Sequence, residues 1–304
     1  MNFEVIVEEL KELNVGEILE FEPMYKHTTY KVGGPARIYV KVENTLALQK
    51  LMQYVKQHQI SYYVIGKGSN ILFSDKEFDG IIISLNECFK NTNVSGDRIE
   101  ADAGVSVIRL AQLAMKHGLS GLEFISGIPA SVGGVVYMNA GAYKSDVSAV
   151  LEQAYILNSE GEVIRLNNTQ MEFGYRHSIM QVHPDWIVLK AIFKLQPKDK
   201  EEIKHVMDSR KQKRMLTQPW DRPSAGSVFR NPENKAAWQY IDECDLRGFS
   251  IGHAKVSTKH SNFIINTGYA SAKDIRSLIE HIQNTVKTQF GIELYTEVRF
   301  MNWD

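Results

Sequence analysis

The stretch from Ser126 to Ala142, SGIPASVGGVVYMNAGA, constrains this chain more than any other. It sets Gly127, Gly133, Gly134 and Gly141 among small residues, with the polar side chains of Ser131 and Asn139 between them. Glycine lets backbone amides line a concavity with no side chain in the way, and such a nest of N–H donors suits a pyrophosphate. A second segment, Val64 to Phe73, has the same character: a short apolar strand running into Gly66-Lys67-Gly68-Ser69-Asn70. Either loop alone reads equally well as a glycine turn joining two strands. Together, two separated donor-rich loops point to one extended dinucleotide. A Rossmann fingerprint does not hold it: Gly66 and Gly68 give G-x-G, but Ile71 stands where the third glycine belongs, and Ile-Leu-Phe continues an extended run where the fingerprint opens a helix. The expectation is a phosphate-cradling α+β fold of another kind.

The chain has 304 residues, enough for two or three domains with a substantial core. A formal net charge of −1 offers nucleic acid or anionic lipid no general attraction. No apolar run approaches the roughly 20 residues of a membrane span. The start, MNFEVIVEELKEL, reads as an amphipathic helix with Phe3, Ile6, Val7, Leu10 and Leu13 on one face, and it lacks the basic start and unbroken apolar core of a secretory signal. Cys88 and Cys244 lie far apart with no metal-ligand spacing. Free thiols, no metal and a cytoplasmic location are expected.

The first helix is followed by strands around the break at Gly33-Gly34-Pro35 and a helix from Asn44 to about His58. Strands are expected at Tyr62–Ile65 and Gly80–Leu85, and a hairpin over 92–103 turning at Gly96-Asp97. Ser106 caps a helix ending at Gly118, and the glycine-rich segment follows as a loop. Next come a hairpin, Ala154–Asn158 with Val163–Leu166, and a strand Trp186–Leu195. Pro197 and the charged run after it mark a boundary. Beyond it the pattern gives helices near 199–214 and 233–242, a strand Asn262–Asn266, a long helix from Ser271 to about Gln289, and a last strand Ile292–Phe300. The cluster Lys204, Arg210, Lys211, Lys213 and Arg214 reads as a solvated helix face.

Polar clusters break otherwise apolar sequence at Gly174-Tyr175-Arg176-His177-Ser178, at Ser224 to Pro232 (SAGSVFRNP), and at Tyr295 to Phe300, where alternation puts Glu297 and Arg299 on one face. The last is readable as a surface ion pair or as the end of the chain completing a site.

TTYKVGGPA, IGKGSN, GLEFISGIPASVGGVVYMNAGAY, YRHS, SAGSVFRNP, VSTKHSNFIIN and EVRF, in this order, resemble the UDP-N-acetylenolpyruvoylglucosamine reductase family (UDP-N-acetylmuramate dehydrogenases), from about residue 23 to residue 300. The SGIP…VGG…MNAGA block is shared more loosely with the wider vanillyl-alcohol-oxidase-like (PCMH-type) flavoproteins, whereas the YR, AGSVFRNP and EVRF trio is specific to the reductases. The resemblance implies two α+β subdomains for non-covalent FAD, 1–85 and 86–198, and a smaller α+β substrate domain, 199–304, whose last strand returns to the active site. It implies FAD contacts from Tyr30, Gly33, Gly34 and Pro35, from Gly66, Lys67, Gly68, Ser69 and Asn70, and from Gly127, Ile128, Pro129, Ala130, Ser131, Gly133, Gly134, Asn139, Gly141 and Ala142. Arg176, Ser227 and Glu297 fall on the family's catalytic positions.

On that reading NADPH reduces the flavin, and the enolpyruvyl ether of UDP-N-acetylglucosamine then takes the hydride. Negative charge builds beside the substrate carboxylate, where Arg176 is the electrostatic stabiliser; Glu297 hydrogen-bonds the same group or orients water and Arg176, and Ser227 supplies the proton. Tyr175, Arg230, Asn231, Lys255, His260 and Arg299 are candidates for the UDP-sugar, whose phosphates need donors. The sequence departs from the family at Ala130, Trp238 and His253, each at a usual glycine position. The short interval between Arg176 and Trp186 matches the shorter, type II branch. Two other readings stay open: an FAD oxidase of the same fold, and a diverged flavin- or nucleotide-sugar-binding protein without catalysis.

Overall fold

In the computed structural model, residues 2–303 are described. They form two compact units: one holds the residues through Glu20, Arg37–Lys67 and Asp79–Lys211, the other Phe21–Ala36, Gly68–Phe78 and the chain from Gln212 onward. Helices and strands are mixed throughout, an α+β architecture.

The first unit opens with α1 (Phe3–Glu12), which buries the expected Ile6, Val7 and Leu10. Helix α2 (Thr45–Gln57) starts at Asn44, whose side chain accepts from the Ala47 amide at 3.0 Å. Its apolar stripe, Leu48, Leu51 and Val55, packs with Ile38, Val40, Ile81 and Ile83 of a four-stranded sheet, ordered Gly16–Pro23, Pro35–Val42, Phe78–Ser84, Tyr62–Ile65. Each such aliphatic side chain contributes roughly 1.5–3 kcal/mol when fully buried. Strand Tyr62–Ile65 runs parallel to Phe78–Ser84, so its C-terminal end delivers Gly66 beyond the sheet edge.

A second, antiparallel sheet orders Val163–Asn167, Leu151–Leu157, Ile187–Lys194, Arg98–Asp102 and Thr92–Ser95. Helix α3 (Val107–Lys116) follows Ser106, but the serine makes no side-chain cap; it pairs instead across an antiparallel bridge with Ser131. The glycine-rich segment is not all loop. Val132–Met138 forms α4, because Val132, Val135 and Val136 recur at helical spacing and are fully buried. Helix α5 (Lys200–Thr217) buries Ile203, and its exposed charges pair locally, as in Lys204–Glu201 at 3.9 Å.

In the second unit, α6 (Ala237–Glu243) and α7 (Ala272–Phe290) pack with a three-stranded antiparallel sheet, Ser250–Ile251, Ala254–Val256 and Ile264–Asn266. Ile275, Leu278, Ile279, Ile282 and Val286 of α7 are all fully buried, as the spacing predicts. Both Asp75 carboxylate oxygens accept from its first amides, those of Ala272 and Lys273. The last strand is shorter than expected. It spans Arg299–Met301 and runs parallel to Ile71–Phe73, while upstream Thr296 makes an isolated bridge to Phe229. The alternation of EVRF therefore reports extended backbone straddled by partners from two directions.

Removing the α2 cap with Asn44→Ala is expected to lower unfolding free energy by about 1 kcal/mol, read as a shifted urea midpoint with an unchanged slope.

Candidate active site

The first unit brings the two glycine segments together. A Cβ built on Gly66 would lie 2.4 Å from the Ser131 hydroxyl, and one built on Gly134 would lie 3.5 Å from the same oxygen. No side chain larger than hydrogen fits at Gly66 without displacing Ser131. The serine is 2% exposed and sits at the start of α4 without capping it. Asn86, which the sequence reading passed over, donates from Nδ2 to the Gly66 carbonyl at 2.7 Å. The amide of Gly133 donates to the Ala103 carbonyl at 2.8 Å, and that of Ala130 to Ile128 at 2.8 Å. Ala130 is absent from the positive-φ residues, so its methyl group in place of the family's glycine carries no backbone strain.

The end of the glycine-rich segment is hydrogen-bonded to the turn that carries Arg176. Gly174 and His177 exchange backbone hydrogen bonds at 3.1 and 3.2 Å, closing a two-residue turn whose second central residue is Arg176, at φ 55°. That left-handed position ordinarily suits glycine or asparagine. The turn is bolted to the MNAGA run at several points. Asn139 donates to the Gly174 carbonyl at 2.9 Å, and its own oxygen accepts from the Ser148 amide at 3.0 Å. Ser178, fully buried, donates to the Tyr137 carbonyl at 2.7 Å. Gln181 donates to the carbonyls of both Tyr137 and Arg176. The Arg176 guanidinium donates to the Gly141 carbonyl at 3.2 Å and lies 5.0 Å from the Tyr175 ring centre. Gly141–Ala142 pairs with Ser145–Asp146 in a small hairpin. Asn139, expected at the cofactor, thus splints the backbone that presents Arg176.

The second unit gathers the other candidates. Glu297 donates its amide to the Val228 carbonyl at 2.8 Å, and Arg230 donates its amide to Tyr295 at 2.8 Å, so the Ser227 and Glu297 segments lie side by side as paired backbone. Asn70 donates from Nδ2 to the Glu297 carbonyl at 3.0 Å, and its own carbonyl accepts the Arg299 amide at 3.0 Å. Upstream, Gly68 has φ 62° and would place a Cβ 2.0 Å from the His27 carbonyl oxygen; its own carbonyl accepts the Thr29 amide. Gly34 donates to the Ser74 carbonyl at 2.8 Å while Gly33 and Gly34 accept from Tyr25 and Met24. Tyr30 is fully buried, and its hydroxyl has no hydrogen-bond partner among the described residues. Burial pushes that phenol well above its ordinary pKa.

Ser227 does not cap α6. The Asn231 side chain does that work, accepting from the Ala237 amide at 3.1 Å. Arg230 keeps Nε buried with no hydrogen-bond partner among the described residues. Lys255 sits mid-strand opposite Ser250 and Ile265. Trp238 is 41% exposed and meets His260 edge-on at 6.5 Å, and His253 lies against the exposed Tyr269. Both large rings at usual glycine positions pack on the surface of this unit.

Residues 36–167 match the family described as FAD binding domain. Together with the paired glycine loops this defines an FAD-binding α+β protein. Residues 218–301 match the family described as UDP-N-acetylenolpyruvoylglucosamine reductase, C-terminal domain. The chain is 46% identical over 298 residues to UDP-N-acetylenolpyruvoylglucosamine reductase 1 of Bacillus cereus, covering 98% of this chain and 99% of that one. It is 43% identical to the UDP-N-acetylenolpyruvoylglucosamine reductase of Bacillus subtilis, covering 98% of each. The crystal structure of UDP-N-acetylenolpyruvylglucosamine reductase from Thermus caldophilus matches with a TM-score of 0.80 at 34% identity, over 93% of this chain and 98% of that one. The chain belongs to the UDP-N-acetylenolpyruvoylglucosamine reductase family. Among the described residues no helix is long and apolar enough to cross a membrane.

Burial, with the Arg247 charge nearby, lowers the His260 pKa, and its Nδ1 accepts from the Asn262 amide at 3.3 Å. The folded value lies below the unfolded one of about 6.5, so this contribution to stability is complete above that pH and is lost as pH falls below it. Between pH 7.5 and 5.5 the melting temperature is expected to fall further for the native chain than for His260→Asn; an equal or smaller fall would count against it.

Proposed function

We propose that this chain reduces UDP-N-acetylglucosamine enolpyruvate to UDP-N-acetylmuramate with NADPH, in the cytoplasm, as a step in making peptidoglycan precursors. The observation that carries this reading is near-full-length identity to named reductases across both units. Residues 1–85 and 86–198 serve a non-covalent FAD, and 199–304 take the nucleotide sugar. Supporting the flavin assignment is the close approach of the two glycine loops, where a Cβ at Gly66 would collide with the Ser131 hydroxyl. On this reading the loops at Tyr30–Pro35, Gly66–Asn70 and 127–142 hold the cofactor, and their glycines let amide donors approach its pyrophosphate. A flavin held by these loops would supply, once reduced by NADPH, the hydride for the terminal vinyl carbon.

The protein's part is electrostatics and proton delivery. Charge that develops on the substrate carbon next to its carboxylate is met by Arg176, a cation whose turn is already braced. A donor fixed before the reaction needs no reorganisation as charge appears, which is why its effect is greatest in the transition state. Ser227 donates the proton that completes the product. It is a weak acid, but the recipient is a strongly basic carbon, and the small side chain can approach closely. Glu297 is assigned to hydrogen-bond the substrate. Tyr175, Arg230, Lys255, His260 and Arg299 are assigned to the UDP-sugar, with Asn231 contributing from the cap of α6.

In anaerobic rapid mixing, Ser227→Ala is expected to slow flavin reoxidation by the enolpyruvyl nucleotide by about 10²–10⁴-fold, the usual span for a general acid, while bleaching by NADPH stays near the native rate. A native protein that bleaches with NADPH yet recolours no faster when the nucleotide is added would sink the reductase reading. Gly66→Ala is expected to purify with less flavin while its far-ultraviolet dichroism stays native. Full flavin content in that variant would remove the first glycine loop from the cofactor site.

A further inference from the structure

Asn262 lies in none of the groups assigned so far, yet it is 3% exposed and touches the Ser227 segment at three points. Its backbone carbonyl accepts the Val228 amide at 2.8 Å. Its side-chain oxygen accepts the Phe229 amide at 2.9 Å, and its Nδ2 donates to the Phe229 carbonyl at 2.9 Å. This is the pairing a neighbouring antiparallel strand would make, supplied by one side chain. This stretch is also paired with the C-terminal segment, Val228 with Glu297 and Arg230 with Tyr295. Val228 and Phe229 are thereby held between Asn262 and the C-terminal segment, and both bury their side chains. Immediately upstream, Gly226 has φ 75° and open space around its Cα. Ser227 is the single residue between a flexible glycine and a clamped strand.

We propose that Asn262 is a positioning residue for proton delivery: its amide fixes the Val228–Phe229 backbone, and through it the place of the Ser227 hydroxyl. The inference rests on the reading of Ser227 as the proton donor. Without the amide, the strand keeps the Glu297 edge and the main-chain bond from Val228 to Asn262 but loses both hydrogen bonds to Phe229, and Ser227 gains freedom about Gly226. Misplacing a reacting group by an ångström costs up to about 100-fold.

The test uses the flavin-loaded protein under anaerobic conditions. In Asn262→Ala, reoxidation by the enolpyruvyl nucleotide is expected to slow about 10- to 100-fold, with NADPH bleaching and flavin content near native. Affinity for the nucleotide, read from its perturbation of the oxidised flavin spectrum, should also hold near native. The solvent deuterium isotope effect on reoxidation should rise, because the proton step becomes slower. In a Ser227→Ala background, Asn262→Ala should add no further slowing. Asn262→Asp keeps the acceptor for the Phe229 amide and loses the donor, so it should fall between native and Ala, and it serves if the Ala variant does not fold. Equal slowing of both half-reactions, loss of flavin in step with loss of melting temperature, or full additivity with Ser227→Ala would each make Asn262 merely structural and overturn the inference. If Ser227→Ala slows reoxidation and the Asn262 variants do not, the inference alone fails. If Ser227→Ala itself has no effect, the reading beneath it fails as well.

Discussion

Buried backbone that is neither helix nor strand must still satisfy its amides and carbonyls, at roughly 1–3 kcal/mol for each group left unpaired. The functional segments of this chain are largely of that kind, and asparagine side chains answer for them. An amide side chain carries the donor and acceptor of a peptide group on a short stem. Asn86 holds the Gly66 carbonyl, Asn139 spans Gly174 and Ser148, and Asn168 donates to both Ser148 and Leu151. In the second unit Asn70 and Asn262 flank the Glu297 and Phe229 backbones, and Asn266 ties the Tyr30 carbonyl to the turn at Gly268 and Ala270.

The arrangement lets loops be shaped for chemistry and still be stiff. Arg176 is presented by a tight turn whose neighbours reach it from the end of α4 and from Gln181, more than 30 residues apart in sequence in the case of Asn139 and Gly174. Ser227 and Glu297 come from segments about 70 residues apart and are aligned by direct main-chain pairing. Such long-range contacts give little local signal, yet they set the angle at which each side chain leaves the backbone.

That division explains what was legible in the sequence. Apolar spacing located α1, α2 and α7 to within a residue or two, because a buried stripe is written in the chain itself. The motifs located the family. The glycine-rich segment hid α4, since three valines at helical spacing were outweighed by Gly133 and Gly134. Ser106 looked like a helix cap, but its side chain makes no cap hydrogen bond and its backbone bridges that of Ser131. The short strands at Ser250–Ile251 and Ala254–Val256 were missed because neither is long enough to show alternation. The bracing by Asn86 and Asn262 was invisible in the sequence, because a side chain that copies a peptide group has no motif; its partner is chosen by the fold.

The turn at Arg176 carries one more implication. A non-glycine residue held in the left-handed region is strained by about 1 kcal/mol or more, and this one bears a long cationic side chain besides. Evolution under pressure for robustness alone would erode that position toward glycine or asparagine, which relax the bend. A library of this gene sorted for heat resistance would therefore enrich glycine or asparagine at this bend.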